Sequence, residues 1–245
     1  MTTATAPNIV ERLLIDKPSF HLSGAARWDA LPETLEAIAR FARPGDTTLE
    51  VGVGVSTVVF AASGTHHTAI SCDPAEHERV REYCQQIGID DSRLDFAVGM
   101  SDDVLPALLT RDRTLDMALV DGAHSFPLPV VDWHYVARAL KVGGRLLLDD
   151  IPVPAVGQVF RHMKLEAGWR LDGIFDDRAA AFTLIALPDQ DDDWIRQPFN
   201  MDFPDYSFAA LPKQLCLENT YRLKRICKRA GQRYPVLRRI YKRIV

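Results

Sequence analysis

The stretch LEVGVGVSTVV, residues 49–59, decides how the rest of the chain is read. An apolar run is interrupted at Glu50, glycines stand at Gly52 and Gly54, and the run resumes through Ser56 and Thr57. That spacing predicts a buried strand, a tight glycine turn and the first turn of a helix. Such a unit can hold a ligand against its backbone. Tight turns between strand and helix also use glycine with no ligand at all, so the flanking sequence has to decide.

Working outward, TTLEV (47–51), TAISC (68–72), LDFAV (94–98), LDMALV (115–120) and RLLLD (145–149) read as short apolar strands. Helix-length segments separate them: STVVFAAS, EHERVREYCQQIG, DDVLPALL and PVVDWHYVARAL, with Gly143-Gly144 turning into the fifth strand. This alternation implies a parallel sheet covered on both faces. After a further helix, AVGQVFRHMKLEAG, the runs WRLDGIF (169–175) and AAAFTLIAL (179–187) are separated only by Asp176-Asp177-Arg178. That is hairpin spacing, so the sheet should end in an antiparallel pair. The expected fold is α/β, a Rossmann-like, seven-stranded, mostly parallel sheet. A helical cap over 1–45, including LPETLEAIARFA (31–42), precedes the sheet domain of 46–190, and an extension over 191–245 follows it.

A chain of 245 residues with 47% hydrophobic content can bury one substantial core. Its formal charge of −4 hides an asymmetry. Residues 219–245 hold ten Lys and Arg and no acid, whereas 1–218 hold 19 basic and 33 acidic residues. An acidic body of net −14 thus carries a tail of +10. Cys72, Cys84, Cys216 and Cys227 form neither CxxC pairs nor zinc spacing, which leads us to expect reduced thiols in a cytoplasmic protein. MTTATAPNIVERLL lacks a basic region followed by an apolar one, and no run approaches a membrane span, so neither a signal peptide nor a transmembrane helix is expected.

Two ligands suit a strand–glycine–helix unit. A dinucleotide site has GxGxxG, but here Gly52-Val53-Gly54-Val55-Ser56-Thr57 lacks the third glycine. Glu50 would repel a pyrophosphate and suits a cationic ligand. Over roughly residues 46–190 the chain resembles the class I S-adenosylmethionine-dependent methyltransferases, whose first motif reads E/DxGxGxS/T. The resemblance continues in order through Asp73 in AISCDP, GMSDDVLP (99–106), VDGAH (120–124) and GGRLLLDD (143–150). It implies S-adenosyl-L-methionine as cofactor, held by Glu50, Gly52, Gly54, Ser56, Thr57, Asp73, Met100, Ser101 and Asp121. Gly52 and Gly54 would admit the methionine part, Ser56 and Thr57 with the helix N-terminus would receive its carboxylate, and Asp73 would take the ribose hydroxyls. Asp73-Pro74 is equally an ordinary helix start.

Asp121, Asp149 and Asp150 end strands four and five, and three carboxylates at one edge repel unless protonated or bound to a cation. This set resembles the cation-dependent O-methyltransferases of small molecules, the catechol and macrolide-sugar types, and implies Mg²⁺ or another divalent ion on Asp121, Asp149 and Asp150. His124 falls where the catechol type has a catalytic lysine, which implies a general base, with Asp121 beside it. The alternative readings are a loop cap for Asp149-Asp150 and a packed loop histidine under Phe126. His66-His67 is expected in a loop at the far end of the sheet, and His21 and Trp28 are candidates to cover the site. DGAH after strand four, in place of (N/D)PPY, disfavours methylation of base or amide nitrogen.

The basic tail, with Leu223, Ile226 and Cys227 on one helical face and Leu237, Ile240, Tyr241 and Ile244 on another, admits three readings. It can pack on the acidic core or on a second subunit of a homodimer, lie on an anionic membrane, or bind nucleic acid, which the acidic body disfavours. The expected function is metal-assisted O-methylation of a small hydroxylated acceptor. Its rivals are a metal-independent methyltransferase, a non-catalytic module with the cofactor fold and, at a distance, a nicotinamide enzyme.

Overall fold

The computed structural model describes residues 8–21, 30–109, 112, 114–187, 197–200, 207 and 209–233. The chain divides into two units, residues 1–190 and 191–245. In the first, α1 (Ile9–Asp16) and α2 (Pro32–Phe41) precede a run of alternating strands and helices. These are β1 (Thr47–Val51), α3 (Val55–Ala62), β2 (His66–Ser71), α4 (Pro74–Gln86), β3 (Leu94–Val98), α5 (Ser101–Leu108), β4 (Leu115–Val120), α6 (Leu128–Ala139), β5 (Leu140–Leu148), α7 (Pro154–Leu165), β6 (Trp169–Phe175) and β7 (Ala179–Leu184). The second unit contains α8 (Leu211–Arg233).

The seven strands form one sheet in the order β3-β2-β1-β4-β5-β7-β6. β1 to β5 run parallel, and β7 is antiparallel to both β5 and β6. Chain order reverses between β1 and β4, and ligands of such sheets sit beyond the carboxyl ends of the strands at that reversal. The glycine stretch and Asp121 both lie there.

Period-two alternation divides β1 between two cores. Leu49 and Val51 enter the apolar layer beneath α5, α6 and α7 with Val120, Leu146 and Phe182. On the opposite face Val58, Phe60, Met117 and Leu147 pack with Leu13 and Ile38 of the two N-terminal helices. Thr48 and Glu50 point into this second layer and are 1% exposed, so β1 carries two polar side chains inside a core. Truncating a fully buried ring such as Phe60 to alanine costs about 3–5 kcal/mol.

Two expectations are corrected. His66-His67 lies in β2 rather than in a loop, and His67 is buried, stacked on Phe60 with ring centroids 4.3 Å apart. β5 begins at Leu140, so Gly143-Gly144 sits inside a bulged strand. Gly143 takes φ 91°, and a Cβ on Gly144 would stand 3.0 Å from the Asp116 carbonyl, which is why this bulge is glycine-rich. The helix α1 was not picked out by spacing. Asn8 caps it, and its buried Val10 and Leu13 join the core.

Candidate active site

A cleft of about 550 Å³ opens beyond the ends of β1, β2 and β4, within the range of roughly 300–1,000 Å³ that holds drug-sized ligands. The glycine stretch forms its floor, residues 99–101 one wall and residues 121–124 with Asp150 and Arg178 the other.

The two glycines of the floor differ in kind. Gly52 adopts φ 114°, and a Cβ there would stand 2.5 Å from the Asp121 carbonyl, so the chain itself demands glycine. At Gly54 a Cβ would meet only His21 Nε2, at 3.9 Å, and would project into open cleft. Glycine at 54 therefore leaves a cradle that a ligand can fill. Beneath it, Glu50 is held by two hydroxyls: Ser56 Oγ donates at 2.7 Å and Thr57 Oγ1 donates to the other oxygen, while His67 Nε2 lies 3.2 Å away without making a hydrogen bond. Thr57 also accepts the Gly54 amide at 3.0 Å and thereby fixes the first turn of α3. Ser56 and Thr57 thus serve Glu50 rather than presenting free hydroxyls to a ligand. Ser56 lines the cleft, and Thr57 is fully buried and does not reach it.

On the β2 side, Asp73 caps α4, its carboxylate accepting from the Ala75 amide at 2.9 Å and lying 3.5 Å from Arg79. Asp73 is absent from the cleft wall, and Glu76 takes a place there with Ser71 and His21. Met100 and Ser101, at the start of α5, also line the cleft. Trp28 lies outside the described residues.

The carboxylate edge is assembled from three chain segments. Asp121, His124 and Asp150 bring one ligand atom each within 4.8 Å of one another, and among the described residues no other group of His, Cys, Asp and Glu comes together in this way. His124 Nδ1 lies 3.2 Å from Asp150 and its Nε2 lies 3.7 Å from Asp121, too long for a hydrogen bond. That Nε2 is shielded from solvent and has no hydrogen-bond partner among the described residues. Asp149 is not in this group. It is buried, accepts the Asp150 amide at 2.8 Å and turns toward Arg178, 3.2 Å away. The trio expected from the sequence thus exchanges Asp149 for His124. Burial pushes the Asp121 carboxyl up to about 7, although 15% of its side chain remains open to the cleft. Burial likewise raises Asp149. His124 is raised above its ordinary value, first by Asp121 and against the opposing effect of burial.

Arg178 was not singled out from the sequence. Leu148 pairs with Ala180 in the antiparallel ladder, so two residues further on Arg178 stands opposite Asp150. Its Nη2 donates to Asp150 Oδ2 at 3.2 Å, and its Nε lies 2.7 Å from Oδ1 as an ion pair without hydrogen-bond geometry. The turn that carries it is anchored twice. Asp176 accepts the Thr34 amide at 2.9 Å at the start of α2, and the Arg178 carbonyl accepts the Ile151 amide at 2.9 Å. A pair of acids and one arginine in a hairpin turn was the available clue, and the pairing of β7 with β5 gave it meaning. Asp132 of α6 was also missed. It is fully buried under Gly122, neither oxygen has a hydrogen-bond partner among the described residues, and burial pushes it up to about 6.

Residues 49–151 match the family model of a methyltransferase domain. No curated protein matches the chain in sequence. Among solved structures, the cofactor-bound Rv0187 from MTB superposes with a TM-score of 0.58 at 17% identity, over 72% of this chain and 89% of that one. The O-methyltransferase TomG from Streptomyces achromogenes, involved in tomaymycin synthesis and solved with S-adenosylmethionine, gives 0.58 at 14% identity over 74% and 92%. An O-methyltransferase from Bacillus cereus, solved with S-adenosylhomocysteine, gives 0.56 at 13% identity over 71% and 90%. At these identities the likeness is one of fold. Residues 49–151 thus match a methyltransferase domain, and the seven-stranded sheet around them has the fold of these solved methyltransferases.

Proposed function

We propose that this protein is an S-adenosylmethionine-dependent O-methyltransferase whose acceptor is a hydroxyl of a small molecule, such as a sugar, polyketide or catechol-like diol. One observation carries the reading: His124 Nε2 has no hydrogen-bond partner among the described residues at the cleft, while Nδ1 faces Asp150, itself paired with Arg178. A proton placed on Nδ1 leaves Nε2 free to accept the acceptor's hydroxyl proton. TomG and the Bacillus cereus protein, which share the fold, are O-methyltransferases, in agreement with this choice. The cofactor fits the cleft by chemistry. Open space lies above Gly54, and the acidic residues Glu50 and Glu76 line the cleft that would receive a sulfonium. When bound, it supplies the methyl group for an in-line displacement, and the chain's part is alignment and proton removal.

The residues that would hold a divalent ion are Asp121, His124 and Asp150. Two carboxylates and an imidazole suit manganese or zinc better than magnesium, which prefers oxygen ligands throughout. Such an ion would polarise the acceptor oxygen and lower its pKa. A second reading, metal-independent transfer, is favoured by Arg178, which already sets a cation against Asp149 and Asp150. The two readings give His124 incompatible roles, ligand or base.

Conversion of S-adenosylmethionine to S-adenosylhomocysteine, measured across a panel of hydroxylated and amino acceptors with and without EDTA, tests all of this. Turnover with hydroxyl acceptors alone is expected. Methylation confined to amines, or no heat with either cofactor form in calorimetry, overturns the proposal. EDTA-insensitive turnover selects the Arg178 reading.

For the basic tail we propose an acidic counter-surface, on the protein itself or a second copy, or an anionic membrane, and no nucleic acid. Leu215, Leu223 and Ile226 of α8 are exposed, and no helix among the described residues is long and apolar enough to cross a membrane. Sedimentation with phosphatidylserine vesicles in low and high salt, beside a measurement of oligomeric mass, separates these outcomes.

A further inference from the structure

We propose that Glu76, and not Asp73, accepts the ribose hydroxyls of the cofactor, an inference that rests on the methyltransferase reading and sharpens it. A vicinal diol presents two donors and calls for a carboxylate with lone pairs free on the cleft side. Asp73 fails that requirement by place rather than by bonding: its side chain, which caps α4 through the Ala75 amide and lies 3.5 Å from Arg79, is not part of the cleft wall.

Glu76 meets it in three ways. It lies in the cleft wall between the tip of β2 and the glycine floor. Ser71, the last residue of β2, donates its hydroxyl to Glu76 Oε2, which holds the carboxylate at the strand tip. His21 Nδ1 lies 2.7 Å from Oε1 and steadies the other side. Each oxygen thus has one protein partner and retains acceptor capacity. Glu76 also stands in the first turn of α4, where the helix dipole favours a negative charge. Because β2 ends in a serine, a longer acid from the next helix fills the place beside it.

Calorimetry with S-adenosylhomocysteine and with its 2′,3′-dideoxy analogue tests the assignment on the full chain. Glu76→Gln keeps the side-chain length and can still accept from Ser71, so the fold is preserved, as thermal melting will verify. The expected result is a loss of S-adenosylhomocysteine affinity of roughly tenfold or more, with less than a twofold change for the dideoxy analogue. Asp73→Asn should change both ligands equally and little. A selective loss for the hydroxylated ligand in Asp73→Asn, or an equal loss for both ligands in Glu76→Gln, overturns the proposal while leaving the methyltransferase reading intact. Absence of S-adenosylhomocysteine binding by the unaltered protein overturns both.

Discussion

Two acids stand on or just past adjacent strands at the same sheet edge, one buried and one half-buried, and they are built on opposite principles. Glu50 is 1% exposed, yet its carboxylate accepts from both Ser56 and Thr57, with the His67 ring 3.2 Å away. Asp121 is half-buried, no side chain among the described residues hydrogen-bonds its carboxylate, the His124 ring lies 3.7 Å away, and burial pushes it up to about 7. A satisfied acid is part of the scaffold. An unsatisfied one stores unfavourable energy that a substrate, a proton or an ion can release, which is where chemistry is expected.

The strongest way to break this contrast is through His124. If the unsatisfied edge performs the proton transfer, His124→Gln lowers turnover about 10²–10⁴-fold and leaves S-adenosylhomocysteine affinity within about twofold, as calorimetry would show. Loss of binding with turnover per bound cofactor preserved would move His124 into the cofactor site instead. In the unaltered protein turnover should rise with pH, because the neutral imidazole is the base. Its midpoint should lie above His124's ordinary value, since Asp121 favours the charged form. Asp121→Asn should bring that midpoint down.

Stability gives the next test, with opposite signs for the two acids. Glu50→Ala strips His67, Ser56 and Thr57 of a common partner inside the core and should cost about 3 kcal/mol in chemical denaturation. Asp121→Asn should stabilise above neutral pH, by about 1 kcal/mol or more. The sign follows from linkage. Asp121 holds its proton to about 7 when folded and to about 4 when unfolded, so the folded state binds more protons between those values. Its contribution is fully present below pH of about 4 and lost as pH rises through 7. The unaltered protein should therefore lose stability relative to Asp121→Asn across that window. Parallel curves would show that Asp121 is as comfortable as Glu50.

What the sequence made legible follows the same division. Strands β1, β3, β4 and β6 match their expected bounds because apolar runs flanked by glycine and acids leave little choice of register. The antiparallel finish was legible from a three-residue gap. Side-chain destinations were less so. Ser56 and Thr57 belong to the motif, but their hydroxyls turn to Glu50, buried on the preceding strand, rather than to the cleft. Asp73 and Glu76 stand three residues apart at one helix start, and only the bonds to Ala75, Arg79, Ser71 and His21 tell them apart. Arg178 lies 28 residues from Asp150, and nothing local in the sequence announces their pairing. Pattern within an element was readable, and pairing between elements was not.

Arg178 therefore offers the smallest but most discriminating test. It touches Asp149 and Asp150 and is 26% exposed, so solvent screens part of the attraction. Arg178→Gln should cost only about 1 kcal/mol of stability. Its effect on turnover decides between the two readings of the edge. If the guanidinium is the resident cation that holds Asp150 against His124, the substitution lowers turnover about tenfold and added Mn²⁺ does not restore it. If the edge is an ion site, removing a competing cation from Asp150 should tighten Mn²⁺ binding, measured directly by calorimetry, and leave metal-supplemented turnover at or above its original level. The sign of the change in Mn²⁺ affinity thus reports whether the unsatisfied acids are waiting for an ion or have already been given one by the chain.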